Sequence, residues 1–277
     1  MKMVLSDKQL QKIISVLFLA NKKIISVYQD KDLDVKIKDN NTPLTLADTL
    51  SHELIYEEFS KIFKGIPILS EESKIVSYQE RKSWEFFWLV DPLDGTKEFI
   101  EKNGQFCVNI ALIKKDKPVA GFISVPVEGL IYYAVEGLGA FIINKYNLKH
   151  KLRTRAFTGN KTFVIRSRSH PQESEQLIVD KLEDVQIVHV GSSLKFCLLA
   201  KGRADVYLRA GPTMEWDTAS GQAIVQEAGG YMRRLDQGVL RYNKEVLKNP
   251  GFFCAANKQI FDMICSILKT NPIIYEP

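Results

Sequence analysis

Residues 84–96 read Trp-Glu-Phe-Phe-Trp-Leu-Val-Asp-Pro-Leu-Asp-Gly-Thr. The apolar and aromatic run at the start of this stretch is typical of a buried strand. Asp91 and Asp94 follow the run directly, and carboxylates so close to a core need partners. Pro92 fixes φ and Gly95 permits a sharp turn, so both carboxylates can point the same way. With the backbone carbonyl between them they form the oxygen-rich group that Mg²⁺ prefers, although an ordinary Asp-Pro and Asp-Gly surface turn fits the same residues.

The composition is that of an ordinary globular protein of 277 residues, with 45% hydrophobic and 26% charged residues. A chain of this length buries a substantial core, as one large domain or as two intimate subdomains. The formal net charge of +5 is too small to indicate a specific nucleic-acid partner. It fits an anionic small-molecule substrate, and it also permits a weak peripheral contact with an anionic membrane surface.

Four cysteines, at positions 107, 197, 254 and 265, lie in apolar settings without CxxC spacing. They predict buried, reduced thiols and therefore a reducing compartment. The apolar run from Ile13 to Ala20 ends at Asn21-Lys22-Lys23 without a cleavage site, so it predicts neither a signal peptide nor a transmembrane segment. We therefore expect a cytoplasmic protein, with a peripheral position on the cytoplasmic side of the inner membrane left open. The sequence does not indicate an oligomeric state.

The N-terminal part of the chain predicts two amphipathic helices. Ser6-Asp7-Lys8-Gln9 has the spacing of a capping box, and apolar residues recur at helical intervals from Leu10 to Tyr28. A second helix is expected to begin near Pro43 and to end near Gly65. Its apolar stripe is predicted to be Leu46, Leu50, Leu54, Phe59 and Phe63.

The rest of the chain predicts sheets covered by helices. Turn signals between residues 106 and 144 indicate antiparallel hairpins. The basic segment 145–161 changes the composition and is interpreted as a solvated linker. It divides an N-terminal α+β subdomain, residues 1–150, from a C-terminal α/β subdomain, residues 151–277. Strand and helix patterns alternate in the second subdomain, so we expect a layered α+β or α/β architecture.

Three further acidic residues have the chemistry that would complement the Asp91 loop. Glu71 follows a short apolar run, Asp217 opens a predicted helix, and Asp48 lies in the first turn of another helix. Each has an ordinary alternative. Glu71 can belong to a solvated Glu-Glu pair. Asp217 can be an N-cap worth about 1 kcal/mol, and Asp48 can compensate the helix dipole.

Taken together, the acidic stretches form an ordered set of four motifs. They are Thr45-Leu46-Ala47-Asp48, Ser70-Glu71-Glu72, Asp91-Pro92-Leu93-Asp94-Gly95-Thr96 and Trp216-Asp217-Thr218-Ala219. In this order they resemble the inositol monophosphatase superfamily of metal-dependent, lithium-sensitive phosphatases. The resemblance covers nearly the whole chain, and it implies a layered αβαβα sandwich with two intimate subdomains.

Further segments resemble the CysQ-type 3′(2′),5′-bisphosphate nucleotidases of that superfamily. They are Lys38-Asp39-Asn40 with Thr42-Pro43-Leu44-Thr45, Lys97-Glu98-Phe99, Gly191 to Ala200, and Ala204 to Arg209. The inositol branch usually carries Asn at the position of Glu98, and it lacks the Ser192-Ser193-Leu194-Lys195 segment.

The resemblance implies a site for two Mg²⁺ ions. One ion would be held by Glu71, Asp91 and the carbonyl of Leu93, and the second by Asp91, Asp94 and Asp217. Several carboxylates are needed because each ion also keeps waters and substrate oxygens in an octahedral shell. Such ions neutralise the charge of a phosphate monoester and lower the pKa of a bound water, which fits in-line hydrolysis.

The resemblance also assigns the remaining catalytic groups. Thr96, hydrogen-bonded to Asp48, would orient or deprotonate the nucleophilic water with help from Glu71. The amide groups of Gly95 and Thr96 would bind phosphate as the start of a helix does. Members of the nucleotidase branch can take a third Mg²⁺ near Asp48 and Glu71, which the sequence permits.

The expected contacts to the nucleotide come from the C-terminal half of the chain. Ser192, Lys195 and Arg209 match positions that contact nucleotide in this branch, and His170 matches a phosphate-side position. From the residues alone, an N-capping Ser192, a snorkelling Lys195 and an Arg209 in a surface ion pair are the alternatives. The residues around the metal ions that would also touch substrate are Glu71, Leu93, Asp94, Gly95, Thr96 and Asp217.

The expected reaction is the Mg²⁺-dependent removal of the 3′-phosphate from 3′-phosphoadenosine 5′-phosphate, which gives AMP and phosphate. Its 5′-phosphosulfate relative is a second candidate substrate for the same chemistry. An inositol or sugar phosphate is the alternative on the same fold. A catalytically inactive scaffold that binds anions or RNA is a third hypothesis, but it requires a missing ligand, and every motif residue is present. Serine and cysteine hydrolases and P-loop enzymes are excluded because their motifs are absent.

Overall fold

The computed structural model describes residues 5–30, 35–37, 43–159, 161–169 and 172–273. The nucleotidase-like segment at Lys38, Asp39, Asn40 and Thr42 lies outside the described residues, and so does His170 of the predicted substrate contacts. Of the helices within these ranges, none has both the length and the apolar character needed to cross a bilayer.

The described chain alternates between helices and strands. The helices are α1 (Asp7–Tyr28), α2 (Leu46–Ile62), α3 (Tyr78–Arg81), α4 (Thr96–Ile100), α5 (Gln176–Val179), α6 (Leu194–Ala200), α7 (Glu215–Glu227) and α8 (Lys258–Thr270), with a 3₁₀ turn at Glu173–Glu175. The strands are β1 (Lys36–Ile37), β2 (Pro43–Leu44), β3 (Ile68–Ser70), β4 (Phe86–Asp94), β5 (Cys107–Lys114), β6 (Lys117–Val125), β7 (Leu130–Val135), β8 (Gly139–Asn144), β9 (Lys149–Lys151), β10 (Thr162–Ser167), β11 (Val185–Val190), β12 (Val206–Arg209), β13 (Thr213–Met214), β14 (Tyr231–Arg234), β15 (Lys248–Asn249) and β16 (Phe252–Ala255).

Most strands belong to two mixed sheets. The larger sheet has seven strands in the order β3-β4-β5-β6-β7-β8-β9, and only the β3–β4 pair is parallel among its described strands. The smaller sheet has the order β11-β10-β12-β16-β14, in which β10 runs parallel to β11 and β12. Two short ladders, β1–β2 and β13–β15, lie apart from these sheets.

Alternating side chains of the larger sheet pack into two different cores. In β4, Trp88 and Val90 belong to the core formed with α1 and α2. Phe87 and Leu89 of the same strand face the other way and join a core that includes residues of α6 and α7. Because successive strand residues point to opposite faces, both faces of this sheet are covered by helices.

The smaller sheet is covered on both faces in the same way. Tyr207 and Phe252 pack towards α6 and α7 in the central core. Val206 and Phe253, their neighbours in the strands, pack with Ile260 and other residues of α8. The layers therefore follow the order helix, sheet, helix, sheet, helix, which confirms the predicted αβαβα sandwich.

The two N-terminal helices form, but the second begins later than expected. At the start of α1, Gln9 N donates to Ser6 Oγ at 3.3 Å and Ser6 N donates to Gln9 Oε1 at 2.9 Å, which confirms the capping box. The predicted start of the second helix at Pro43 is wrong, because Pro43 lies in β2 and Thr45 is the residue that caps α2. The predicted stripe is wrong at Leu46, which is 41% exposed. The buried residues of α2 are Ala47, Asp48, Ser51, Ile55 and Phe59.

The basic segment 145–161 is only partly a linker. Lys149–Lys151 forms β9, the edge strand of the larger sheet, and pairs with β8 through Ile142↔His150. All three residues of β9 are exposed, so no apolar alternation marks them as a strand in the sequence. β9 lies across the predicted boundary between residues 150 and 151, and the division into two subdomains stays a prediction.

Candidate active site

Glu71 and Asp91 are neighbours because β3 and β4 are paired in parallel. β3 and β4 pair in the register Ser70↔Val90, and Glu71 N donates to Val90 O at 3.0 Å. The next residues on the two strands are therefore Glu71 and Asp91. Asp91 is only 2% exposed, so its carboxylate lies at the bottom of the site rather than on a surface turn.

The turn after Asp91 directs the second aspartate towards the same place. The ladder between β4 and β5 is irregular between Asp91 and Asp94, and such a bulge re-aims side chains. Leu93 N donates to Asp91 Oδ1 at 3.0 Å, which closes the turn around Pro92. The hydroxyl of Ser51 in α2 donates to the Pro92 carbonyl at 2.9 Å and so fixes the turn to α2.

Asp94 is held by residues that the motifs did not identify. Its Oδ2 accepts from Ser193 N and from Ser193 Oγ, both at 2.6 Å, and from Asn109 Nδ2 at 3.3 Å. Asn109 Nδ2 also donates to Ser193 Oγ at 2.8 Å. Burial raises the pKa of Asp94, and the hydrogen bonds from Ser193 oppose that rise.

Asp217 joins the group from the first turn of α7. The predicted N-cap role is wrong, because Met214 is the N-cap of α7 and Asp217 is its third residue. Asp217 Oδ2 instead accepts from Met214 N at 2.7 Å. The carboxylate is nevertheless part of a cluster, because ligand atoms of Glu71, Asp91 and Asp217 all lie within 4.8 Å of one another. The hydrogen bond from Met214 N orients the side chain and leaves the carboxylate within reach of the other two.

The carboxylates of this cluster fit a hard divalent cation. Burial raises the pKa of Asp91 well above its usual range, and the charge of Glu71 adds to the effect. Burial also raises the pKa of Asp217 well above its usual range, followed by the charges of Asp94 and Glu71. A set of oxygen donors with excess negative charge suits Mg²⁺, Ca²⁺ or Mn²⁺ better than a metal that prefers sulfur or nitrogen.

Asp48 and Thr96 meet at the edge of this cluster. Asp48 Oδ2 accepts from Thr45 N at 2.8 Å and from Thr45 Oγ1 at 2.6 Å, which completes the start of α2. Thr96 Oγ1 lies 3.4 Å from Asp48 Oδ1 and 3.3 Å from Leu93 O, and either oxygen can accept its proton. Asp48 thus has the predicted role at the helix start and also contacts Thr96.

Gly95 allows the loop of residues 91–96 to pack against the turn of residues 191–193. Its φ of +90° is a left-handed conformation that favours glycine. A Cβ at this position would lie 2.9 Å from Ser192 Cβ and 3.0 Å from Gln105 O. A side chain would therefore be strained in the backbone and would also push the turn away.

Ser192 and Lys195 do not adopt the ordinary roles weighed for them. Ser193, not Ser192, is the N-cap of α6, and Ser192 Oγ donates to Cys107 Sγ at 3.1 Å. Lys195 is 6% exposed, so it does not snorkel to solvent. Its Nζ donates to Ser192 O at 2.5 Å and to Val190 O at 3.3 Å. Burial lowers the pKa of Lys195 to about 8, and the nearby Asp94 carboxylate opposes the decrease.

Arg209 is buried at the end of β12, so the alternative of a surface ion pair is wrong. Its Nη2 donates to Pro212 O at 3.1 Å. The Arg209 charge opposes the rise in the pKa of Asp217 and also lowers the pKa of Lys195. Arg209 is therefore electrostatically coupled to the carboxylate cluster and to the second cation.

A single cavity of about 510 Å³ connects these groups. Its lining includes the predicted residues Glu71, Asp91, Leu93, Asp94, Gly95, Thr96, Ser192, Lys195, Arg209 and Asp217. Lining residues that had no predicted role in the site include Glu98, Gln172, Ser193, Lys248 and Phe252. Ser193 and Glu98 stood inside quoted segments, whereas Gln172, Lys248 and Phe252 had no signal in the sequence.

Comparison with known proteins assigns the family. A sequence model of the inositol monophosphatase family matches residues 7–272. The chain belongs to this family. The 3′(2′),5′-bisphosphate nucleotidase CysQ of Salmonella typhimurium is 40% identical over 235 residues, which cover 84% of this chain and 94% of that protein. CysQ of Haemophilus influenzae is 34% identical over 262 residues, or 94% of this chain and 97% of that one.

Solved structures agree with the sequence comparison. The crystal structure of CysQ from Bacteroides thetaiotaomicron, a bacterial member of the inositol monophosphatase family, has a TM-score of 0.79 and 40% identity. The match covers 90% of this chain and 97% of that one. An IMPase/NADP phosphatase complexed with Mg²⁺ and phosphate has a TM-score of 0.78 at 19% identity, covering 97% and 98% of the two chains, and shows the common fold.

Proposed function

We propose that this protein is a Mg²⁺-dependent 3′(2′),5′-bisphosphate nucleotidase that converts adenosine 3′,5′-bisphosphate to AMP and phosphate. The observation that carries the proposal is the cavity, in which a cluster of three carboxylates and two buried cations, Lys195 and Arg209, line the same space. A substrate with two phosphates needs both kinds of group. The 34–40% identity to CysQ proteins over most of the chain supports the same substrate class.

The carboxylates would hold two Mg²⁺ ions, as the family resemblance implies. Glu71, Asp91 and the Leu93 carbonyl would bind one, and Asp91, Asp94 and Asp217 the other. Bound Mg²⁺ supplies positive charge to the phosphoryl group and makes a water acidic enough to act as a nucleophile. Asp94 reaches the cavity with Oδ2 already bonded to Ser193, so Ser193 orients this carboxylate as outer partners of metal ligands do. A third ion near Asp48 remains part of the hypothesis.

Thr96 and Asp48 would handle the proton of the attacking water. The Thr96 hydroxyl lies within reach of Asp48 Oδ1, and the carboxylate can accept the proton that the hydroxyl carries. Thr96 Oγ1 would then accept the proton of the attacking water as it gives its own proton to Asp48. Glu71 lines the same cavity and would assist. The backbone amides of Gly95 and Thr96, at the start of α4, would contact the phosphate being removed.

The phosphate that stays on the product would be bound by the two buried cations. Lys195 and Arg209 lie in the cavity wall, and Ser192 belongs to the turn that precedes α6, the helix that carries Lys195. A cation that has already lost its hydration binds an anion more strongly than an exposed one. An inositol monophosphate has no second phosphate to contact these two cations, so the bisphosphate is the favoured substrate.

Phosphate release tests the proposal directly. The purified protein is assayed with adenosine 3′,5′-bisphosphate, its 5′-phosphosulfate relative, inositol 1-phosphate and a sugar phosphate, each with Mg²⁺, with EDTA and with added Li⁺. We expect the highest kcat/KM for the adenosine bisphosphate and no turnover in EDTA. A preference for inositol phosphate would contradict the proposal that adenosine 3′,5′-bisphosphate is the substrate. Turnover in EDTA would contradict the proposed requirement for a metal ion. RNA binding without phosphatase activity would instead support the scaffold hypothesis.

A further inference from the structure

Glu215 is a fully buried carboxylate two residues before the predicted metal ligand Asp217. It is 0% exposed and is the first residue of α7. Its Oε2 accepts from Asn243 N at 2.6 Å, and its Oε1 accepts from Lys244 N at 3.0 Å and from Lys244 Nζ at 2.6 Å. Two backbone amides and an ammonium group therefore hold this side chain in one position.

The segment that Glu215 binds encloses the first turn of α7. Glu215 N donates to Leu247 O at 2.9 Å, and β13 and β15 pair through Met214↔Lys248. Asn249 Nδ2 donates to Met214 O at 3.1 Å and to Thr218 Oγ1 at 2.8 Å. Met214 is the residue whose amide donates to Asp217 Oδ2. The place of the Asp217 carboxylate is therefore set by contacts to residues 243–249.

The same segment is also fixed by Arg81 at the end of α3. Arg81, which is 1% exposed, donates from Nη1 to Asn243 Oδ1 at 2.9 Å and from Nη2 to Glu245 O at 2.8 Å. Asn243 Nδ2 returns a hydrogen bond to Arg81 O at 2.7 Å. Arg81 ends α3, the helix that follows Glu71 in the chain. The carboxylate of Glu215 therefore lies in a hydrogen-bond network that joins the first turn of α7, the segment 243–249 and the end of α3.

We propose that Glu215 is a positioning residue for metal binding, which holds the first turn of α7 so that Asp217 stays beside Glu71 and Asp91 before a cation arrives. Like charges at this distance repel one another, and a rigid support makes the group ready to bind. The role rests on the proposed metal site. It predicts that loss of Glu215 weakens the binding of Mg²⁺ and leaves the contacts to nucleotide intact.

The opposite end of α7 provides a matched control. Glu227, the last residue of the helix, accepts from Gly137 N at 3.1 Å and from Gly139 N at 3.0 Å. It is a carboxylate that anchors the same helix through backbone amides, as Glu215 does. At about 1.5 Å per residue it lies roughly 18 Å from Glu215 along the helix, too far to position Asp217.

The test is a titration of the metal-free, full-length protein with Mg²⁺ alone, followed by calorimetry. We compare the wild type with Glu215→Gln and with Glu227→Gln. The Kd for Mg²⁺ should rise by about tenfold in Glu215→Gln, since loss of a group that orients metal ligands weakens binding by 10- to 100-fold and Glu215 acts indirectly. In Glu227→Gln it should change by less than about twofold, because distant sites act independently.

Kinetics give a second readout that a purely structural role would not change. In Glu215→Gln the Mg²⁺ concentration for half-maximal phosphate release should rise in step with the Kd. The KM for adenosine 3′,5′-bisphosphate at saturating Mg²⁺ should stay near the wild-type value, and excess Mg²⁺ should restore kcat. An unchanged Kd for Mg²⁺ in Glu215→Gln overturns the proposal, even if the variant melts at a lower temperature.

Lys244→Met keeps the proposal testable if Glu215→Gln does not fold. It removes one of the three donors to Glu215, and the Kd for Mg²⁺ should rise by about threefold. An unchanged Kd in Lys244→Met then overturns the positioning role. If the wild type binds no Mg²⁺, the metal site itself is wrong and the role of Glu215 falls with it. If the wild type binds Mg²⁺ and both variants match it, only the role of Glu215 is wrong.

Discussion

The cavity has two ends that are built in different ways. At the metal end, carboxylates converge from β3, β4 and α7, and their ligand atoms come within 4.8 Å of one another. At the nucleotide end, the polar groups of Ser192, Lys195 and Arg209 make hydrogen bonds to nearby protein atoms. The first end accumulates charge that a cation must balance. At the second end, substrate must compete with acceptors already present in the protein.

The two ends should therefore control different properties of the enzyme, namely turnover and substrate preference. The metal end is held by backbone geometry, including a strand pair, a bulge and a helix start, so it should determine whether any phosphate is hydrolysed. The nucleotide end depends on side chains that can exchange partners, so it should determine which phosphate ester is preferred. Substitutions at the first end should therefore affect turnover, and substitutions at the second should affect KM.

The largest effect is expected from Asp91→Asn at the metal end. Phosphate release should fall by about a thousandfold or more, since a single electrostatic contact to a transition state contributes 10²–10³ and Asp91 would serve both ions. In EDTA the variant should melt no lower than the wild type, because the substitution removes a buried charge that Glu71, Asp94 and Asp217 repel. Assays and thermal unfolding measure both results. Turnover like that of the wild type would show that Asp91 is not a catalytic metal ligand.

The next largest effect is expected from Arg209→Ala at the nucleotide end. The KM for adenosine 3′,5′-bisphosphate should rise by about 10- to 100-fold, the value of one charge-assisted hydrogen bond. The KM for adenosine 3′-monophosphate, which lacks the second phosphate, should change by less than about threefold. Arg155→Ala, at an ion pair with Asp205 away from the cavity lining, serves as the control. Equal rises in both KM values would place Arg209 outside the substrate contacts.

A smaller effect is expected from pH at the same end. Burial lowers the pKa of Lys195 from 10.5 to about 8, so the ammonium group that would bind phosphate is lost as the pH rises through about 8. The KM for the bisphosphate should rise by about three- to tenfold between pH 7 and 9.5, the value of one charged contact. Lys195→Met should show a high KM without this rise. A wild-type KM that is constant across the range would remove Lys195 from the site.

The lowered pKa of Lys195 also makes the free energy of unfolding depend on pH. Between about 8 and 10.5 the unfolded chain keeps the Lys195 proton and the folded chain does not, so this residue makes the fold more stable as the pH rises. Lys195→Met should lack that gain when unfolding is followed at pH 8 and pH 10.

The smallest effect is expected in the melting temperature of the protein, and it comes from the carboxylates at the metal end. The folded-state pKa values of Asp91 and Asp217 lie above the unfolded value of 3.8, so the metal-free fold becomes less stable as the pH rises from about 4 through those values. Mg²⁺ requires the deprotonated ligands and should stabilise most at the higher pH. The difference in Tm between Mg²⁺ and EDTA should therefore increase with pH. It should increase by about 2–4 °C for each kcal/mol that Mg²⁺ adds to the free energy of unfolding. A difference independent of pH would contradict these shifts.

The metal end could be predicted from the sequence because its chemistry is local. Asp91, Asp94 and Gly95 lie within five residues, and the need for a turn and for partners is visible in the residue types. Their companions could not be derived in this way. The pairing of Glu71 with Asp91 depends on the parallel register of β3 and β4, which no local pattern specifies.

The support of the site was missed because it comes from distant parts of the chain. Ser193 binds Asp94 across 99 positions, and Arg81 binds Asn243 across 162. Glu215 directly precedes the Trp216 motif, but it has no role in the sequence-based prediction. The sequence predicts a linker at β9 because the segment is basic and its three exposed residues carry no periodicity. The αβαβα layers were predicted correctly through the family resemblance, whereas the apolar patterns alone predict only a layered α+β or α/β architecture.

The most direct measurement is a crystal of the protein soaked with Mn²⁺, with diffraction recorded at the manganese edge. Mn²⁺ takes the same oxygen ligands as Mg²⁺ and scatters anomalously. We predict an anomalous peak within coordination distance of Glu71, Asp91 and Asp217, and loss of that peak in Asp91→Asn. A wild-type map with no peak between these three carboxylates would contradict the claim that they hold the catalytic metal.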